Sequence, residues 1–352
     1  MLTGIETVIL DEIHAVVDSK RGVHLITAVD RLVRLSGEFQ RIGLSATIKD
    51  GDAVKAFIGG YTMTGSFSDP VYRPRPVRLI RSSAQKRYKI SVRYPERDKE
   101  SSESEGNEAV WNTLAREMLA ILSENRSTLF FTNSRRLCEK LTFKVNRIAG
   151  QPVAYSHHGS LSRQLRHDVE RKLKNGELKA IVATSSLEMG IDIGELDQVV
   201  QIQSPPSVSA AVQRIGRAGH HVGMDSCGTL FPVHPHDLIH SAVLARAVET
   251  HDIEPLMPVR SPLDVLAQVL VSMTGNATWD MDELFAWVRT SLPYRGLSRN
   301  QFELVLNMLA GRYAGTRIRE LKPRVSIDRL DNTVRGKKGA LLALYMSGGT
   351  IP

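Results

Sequence analysis

Two arginines three residues apart, Arg214 and Arg217, stand beside a pair of glycines in the stretch from Gln213 to His220, Gln-Arg-Ile-Gly-Arg-Ala-Gly-His. On a helix that spacing sets both on one face, where their planar forks can reach the same phosphate oxygens. The competing reading is a solvated basic face. A second reactive pair comes early in the chain. The β-branched run Glu6 to Leu10 ends directly in Asp11-Glu12-Ile13-His14. In open α/β sheets, ligands sit beyond the carboxyl ends of parallel strands, so both carboxylates are expected to project into a crevice. There Asp11 can hold Mg²⁺ through water while Glu12 orients or deprotonates an attacking water. The alternative is an exposed strand end with caps.

Small polar groups follow strand after strand. Gln40 to Leu44 leads into Ser45-Ala46-Thr47, whose hydroxyls could relay a hydrogen bond from the carboxylates or simply cap a turn. Further on, three polar clusters each follow an apolar strand: Thr132-Asn133-Ser134-Arg135, His157-His158-Gly159-Ser160 and Thr184-Ser185-Ser186. Hydroxyls, amides and backbone N–H groups at helix starts suit a phosphodiester backbone. Any one cluster could be an N-cap; three in phase along one sheet edge point to a nucleic-acid backbone. Between Thr184 and Gly194, Gly190 permits close backbone approach to a ligand and Asp192 offers a carboxylate suited to ribose hydroxyls, against an ordinary Gly-Ile-Asp turn. The histidines of 231–240 are not expected to bind metal, because two prolines interrupt any helical register among them.

The elements that must position these groups alternate regularly. Strands are expected over 128–132, 152–156, 179–184, 198–203 and 228–233, with helices over 134–148, 162–174 and 207–217. That is the pattern of a parallel sheet covered on both faces. The proline-rich stretch 70–76 and the serine-rich acidic stretch 96–108 read as connectors. Beyond residue 260 come a capping pattern at Ser261-Pro262-Leu263-Asp264, a helix over 282–291 and a capping box at Ser298 to Gln301. A ribbon over 316–330, turning at Lys322-Pro323, completes three helices and a hairpin, the winged form of a helix-turn-helix. Trp279 and Trp287 are expected in its core or at an interface.

Bulk properties set the class. The 352 residues carry a net charge of +8, which favours an anionic partner, nucleic acid being the commonest. Two distant cysteines exclude a disulfide scaffold and fit a reducing cytoplasm. No apolar run approaches the ~18 residues of a membrane span, so no membrane partner is expected. Residues 312–338 hold nine basic and three acidic side chains, concentrating charge on or after the wing.

With these motifs read in order, the chain resembles a superfamily 2 DEAD/DEAH-box-like helicase, specifically the large helicase-related (Lhr) family. The matching series is Asp11 to His14, Ser45 to Thr47, Phe130 to Ser134, Ala183 through Asp192, and Gln213 to Gly219. The resemblance implies an α/β fold of RecA-like parallel-sheet motor domains, the first incomplete, followed by a winged-helix domain. On it, residues 1–85 are the end of the first motor domain, 86–106 a linker, 107–247 the second, 248–335 the winged helix and 336–352 the start of a further domain. It implies an ATP-driven motor moving 3′ to 5′ on single-stranded DNA and unwinding DNA or RNA–DNA hybrids. Asp11 and Glu12 then handle Mg²⁺ and water; Gln213 and Arg217 contact the γ-phosphate of ATP, assisted by Arg214. Thr132, Ser134, His158 and Thr184 hold the strand, and Asp192 meets the ribose.

One departure from the family pattern carries consequences. A Gly-x-x-x-x-Gly-Lys-[Ser/Thr] loop should precede the Asp-Glu strand by much of a domain, and only ten residues precede Asp11. The chain is therefore expected to be an interior fragment, lacking ATPase activity alone and completed by a longer parent or companion chain. Its alternatives are a non-catalytic nucleic-acid-binding module and an inert gene remnant.

Overall fold

The computed structural model describes residues 2–46, 48–81, 86–95, 106–188, 194, 196–219, 225–312 and 322–346. Thr47, Gly190, Asp192, most of the 96–108 stretch and the first part of the expected ribbon lie outside them. Two compact units form: residues 1–80 with 255–352, and residues 81–254.

In the first unit, β1 (Thr7–Leu10) pairs in parallel with β2 (Gln40–Gly43) across helix α1 (Lys20–Ser36). Helix α2 (Gly51–Gly59) follows, then β3 (Tyr61–Gly65) and β4 (Pro70–Pro74), an antiparallel pair. The stretch expected to be a proline connector is thus a strand, tolerated because a two-stranded ribbon has edges where a missing N–H is harmless. Ser19 caps α1 by accepting from the Gly22 N–H. Gly22 itself is packed against the preceding turn: a Cβ there would lie 1.8 Å from the Val16 carbonyl oxygen. Gly22→Ala is therefore expected to lower stability by about 2–3 kcal/mol, the upper range for overpacking, despite alanine's better helix propensity. A urea midpoint unchanged from the parent chain would contradict that packing.

The second unit is built on a six-stranded, wholly parallel sheet. Its elements are β5 (Tyr88–Val92), α3 (Gly106–Glu124), β6 (Thr128–Thr132), α4 (Arg135–Ala149), β7 (Ala154–His157), α5 (Arg163–Lys174), β8 (Ala180–Ala183), β9 (Gln198–Ile202), α6 (Val208–Ile215), β10 (Ser226–Phe231) and α7 (Pro235–Glu249). The strand order is β5-β10-β9-β6-β8-β7. Leu129 and Phe131 of β6 enter one hydrophobic cluster and Phe130 the other, so the sheet is buried on both faces, as continuous apolar strands require. β5 lies inside the expected 86–106 linker; its half-buried Tyr88, Ile90 and Val92 alternate with exposed Lys89 and Ser91 as it pairs with β10.

Residues 255–346 supply α8 (Leu263–Thr274), β11 (Trp279–Asp280), α9 (Met281–Val288), α10 (Arg299–Leu309), β12 (Val325–Asp328), β13 (Thr333–Gly336) and α11 (Ala340–Met346). Three helices and the sheet β11-β13-β12 form a winged-helix arrangement. The capping box at Ser298 and Gln301 is present. Ser261 does not cap α8; Pro262 takes the N-cap position without a side-chain bond. The hairpin turns at 329–332 instead of Lys322-Pro323, because Asp328 accepts from the backbone of Leu330 and Asp331 and Asn332 takes a positive φ of 52°. Trp279 is buried, its indole N–H donating to the Met273 carbonyl. No described helix is long and apolar enough to cross a membrane.

Candidate nucleic-acid groove and phosphate-facing residues

Parallel register brings the three polar clusters of the second unit to one rim. Phe131 pairs with Ala183, and Ala183 with His157, so the residues that follow β6, β7 and β8 emerge together at the carboxyl ends of their strands. They line an open groove of about 450 Å³: Asn133, Ser134, Arg135, Gly159, Thr184, Ser185 and Ser186. Ser134 also caps α4, accepting from the Leu137 N–H, so a helix cap and a place on the groove wall coincide in one residue. Four residues expected to hold a strand, Ser134, Arg135, Gly159 and Thr184, are on this wall. Thr132 and His158 are behind it. Thr132 is buried and its hydroxyl donates toward the Ser134 and Ala183 carbonyls; buried His158 sets Nε2 2.6 Å from Glu139. Asn133, Ser185 and Ser186 join the wall; their place in the polar clusters was the sequence signal for them.

The two arginines do not share a helix face. α6 ends at Ile215, leaving Arg217 in the turn beyond it. Arg214 points into the unit, 3% exposed. Its guanidinium donates to the Glu188 carboxylate at 2.6 and 2.5 Å, to Gln201 Oε1 at 2.9 Å and to Asn133 Oδ1 at 3.2 Å, and stacks 5.2 Å from the Phe131 ring centroid. Arg217 is half-buried and donates to the Glu188 carbonyl at 2.6 Å. Gln213 is half-buried beside it, its side-chain amide 3.4 Å from Ser209 Oγ. Thus Arg214 ties α6 to two walls of the groove, through Asn133 and through Glu188, which follows Ser186 by two residues. Lys86 is a basic group that motif reading missed. Its ammonium donates to the Gly216 carbonyl at 2.6 Å; burial, then the charge of Arg217, lowers its pKa. Lying outside any motif, it gave no local signal.

In the first unit, Asp11 is exposed at the end of β1 and accepts the Glu12 N–H through Oδ1 at 2.8 Å. Its other oxygen has no described partner. One open carboxylate on a strand end suits a hydrated Mg²⁺. Glu12 takes a left-handed φ of 48°. His14 joins this motif to the next: Nδ1 is 3.0 Å from Ser45 Oγ and receives the Ala46 N–H at 3.3 Å, while Nε2 lies 3.4 Å from Glu12. Because a backbone N–H points at Nδ1, the neutral ring carries its proton on Nε2, facing the carboxylate.

Two domain families match the sequence: the helicase conserved C-terminal domain over residues 111–221, and the winged helix domain of large helicase-related proteins over residues 246–352. The whole chain is 38% identical to a Mycolicibacterium smegmatis protein described as Lhr helicase/probable uracil glycosylase, covering 24% of it. It is 36% identical to the ATP-dependent helicase Lhr-Core of Saccharolobus solfataricus, again along its whole length, covering 39% of that protein. A solved structure of Mycobacterium smegmatis helicase Lhr bound to ssDNA and AMP-PNP superposes with a TM-score of 0.88 at 40% identity, over 100% of this chain and 44% of that one. The chain belongs to the Lhr helicase family. It spans about a quarter to two fifths of the length of these curated Lhr relatives. The DUF1998 helicase MrfA bound to DNA shares the fold at 20% identity and a TM-score of 0.62.

Within this Lhr chain, His14 and His157 are both buried beside motif residues, and burial lowers the pKa of each below 6.5 against the pull of neighbouring carboxylates. Between the folded pKa and 6.5 the unfolded chain binds more protons than the native one, so stability is full above that window and falls as pH drops through it. The urea midpoint is accordingly expected to be lower near pH 5.5 than at pH 7.5, and a reversed trend would rule out neutral buried rings.

Proposed function

We propose that this chain forms the strand-gripping and phosphate-coupling part of an ATP-dependent translocase that moves 3′ to 5′ on single-stranded DNA and unwinds DNA or RNA–DNA duplexes. The observation that carries this reading is the Arg214 tie. One buried guanidinium joins α6, which bears Gln213 and leads to Arg217, to both Asn133 and the segment after Ser186 in the groove. Hydrolysis of bound ATP with Mg²⁺ supplies the driving free energy. Arg217, with Gln213, contacts the terminal phosphate, and a change in their position reaches the groove through Arg214. Arg214 itself acts from behind this clamp, since its donors are already engaged. Asp11 holds the metal through water, and Glu12, backed by His14, orients the attacking water. Ser45 joins the same link through the His14 ring, and Thr47, Gly190 and Asp192 keep the roles the motifs imply for them.

The groove reading is tested by binding of single-stranded oligothymidylate across a salt series. Removing one side chain that neutralises a phosphate should reduce the slope of log affinity against log salt by about 0.7, so Arg135→Ala is expected to flatten it by roughly that amount. An unaltered slope would remove Arg135 from the interface. The second reading, a non-catalytic binding module, is favoured by the absence of a Gly-x-x-x-x-Gly-Lys stretch anywhere in the 352 residues. By themselves they are expected to bind the strand without turning over ATP. DNA-stimulated hydrolysis by this chain, lost in Arg217→Ala, would overturn that expectation.

A further inference from the structure

His157 closes β7 with its side chain 1% exposed, yet both ring nitrogens are engaged by side chains from different elements. Nε2 lies 2.9 Å from Glu170 Oε1 on α5, and Nδ1 lies 2.8 Å from Ser186 Oγ in the turn after β8. Ser186 is part of the groove wall. Its hydroxyl is also 3.0 Å from the carbonyl oxygen of His157. A serine hydroxyl has one proton to donate, and here two acceptors compete for it.

The protonation state of the ring decides the competition. With the ring neutral, the Glu170 carboxylate keeps the ring proton on Nε2, Nδ1 is a bare acceptor, and the Ser186 hydroxyl donates to it. Once the ring is protonated, Nδ1–H becomes the donor and Ser186 Oγ the acceptor. The serine proton is then released toward the His157 carbonyl or toward an anionic oxygen in the groove. A positive charge appears behind the groove wall in the same step.

We propose that Glu170, His157 and Ser186 form a relay that aims the Ser186 hydroxyl at a phosphate of the bound strand and couples strand binding to uptake of one proton by His157. The relay rests on the nucleic-acid reading of the groove given above. His157 is a positioning residue, acting on the strand through Ser186. The groups facing it are Glu170 and Arg166 on α5, His158 next in the chain, and Cys138 on α4, whose thiol burial pushes up to about 11 so that it stays neutral. His167 adds a contact 3.5 Å from the other oxygen of Glu170. Burial disfavours the charged ring in the free protein, Glu170 opposes it, and Arg166 and His158 reinforce it. A phosphate brought to the groove tips that balance toward the imidazolium.

The test is anisotropy of a labelled oligothymidylate bound to the 352-residue chain at fixed salt, from about pH 5.5 to about pH 8, for the parent and for His157→Gln, Glu170→Gln and Ser186→Ala. Affinity of the parent is expected to rise as pH falls toward the lowered pKa of the free ring, by at most about tenfold per pH unit, the limit for one linked proton. His157→Gln and Ser186→Ala should flatten that rise. Glu170→Gln, which removes the carboxylate favouring the charged ring, should move its midpoint to lower pH, a shift that a purely structural role would not produce. Equal pH profiles in the parent and in His157→Gln overturn the relay and leave the groove reading standing. Absence of binding at every pH overturns both. Should His157→Gln fail to fold, an unshifted midpoint in Glu170→Gln overturns the relay on its own.

Discussion

Replacing Arg214 by alanine is expected to destabilise the 81–254 unit by about 3–5 kcal/mol, the usual consequence of removing one partner of a buried ion pair. The Arg214 side chain is 3% exposed and that of Glu188 16%. Without the guanidinium, the Glu188 carboxylate is left largely out of water and loses the ion-pair partner described for it. The side-chain oxygens of Gln201 and Asn133 lose their donor, and Gln201, fully buried, already has an unpartnered Nε2. Leaving buried polar atoms unsatisfied costs more than the missing bonds themselves. Arg214→Lys keeps the charge and loses the fork, so an intermediate loss is expected. At half-buried Arg217 the same alanine change is expected to cost much less stability while removing the phosphate contact proposed for it. Hydrogen exchange read separately over β6, β9 and α6 checks this, and equal protection in Arg214→Ala and Arg217→Ala would show that Arg214 is not the tie described.

Asp30→Ala is expected to have a loss of similar size, about 3–5 kcal/mol, in the other unit. Asp30 on α1 is 2% exposed, and its Oδ1 lies 2.5 Å from Arg41 Nη1 and 3.7 Å from Arg75. Arg41 is itself buried, with Nε and Nη2 unpartnered. Deleting the carboxylate leaves that charge with the Ile58 and Gly59 carbonyls but without its counter-ion. The site also borders the join of residues 1–80 with residues 255–352, where Ser291 hydrogen-bonds to Asp30. A Cβ at Gly60 would meet both the Thr290 carbonyl and Asp30, the Tyr61 N–H donates to Thr290, and Tyr72 donates to the Ala286 carbonyl. Proteolysis or hydrogen exchange should therefore show α1 and α9 loosening together in Asp30→Ala. Loosening confined to α1 would mean that the joint holds without the buried pair. Asp30→Asn, which keeps the acceptor oxygen, is expected to fall between the two.

These two arginine networks mark the limit of what local sequence could say. Ser134 and Ser298 were legible because a cap acts within three residues of itself, and the alternation from β6 to β10 was legible because burial on both faces imposes apolar strands. The phase of the polar clusters after β6, β7 and β8 followed from the same alternation, and with it Ser134, Arg135, Gly159 and Thr184. The fate of Arg214 was not legible. A spacing of three promised a shared helix face, but the helix ends at Ile215, and the partners of Arg214 stand 13, 26 and 81 residues away. Tyr88 to Val92 joined the sheet because β10 presents an edge to it, which no pattern within the stretch records. The union of residues 1–80 with 255–352 rests on contacts such as Lys20 with Asp264, Arg31 with Ser272, Tyr61 with Thr290 and Leu292 packed in the core of the first segment. Short-range periodicity, caps and motif order were enough to determine the element types from β6 to β10, the winged helix and the family, but not the strands at 70–74 and 88–92. Which charges are buried, and whom they face, was decided by strand order and helix docking, because pairing across tens to hundreds of residues depends on which surfaces the folded chain brings together.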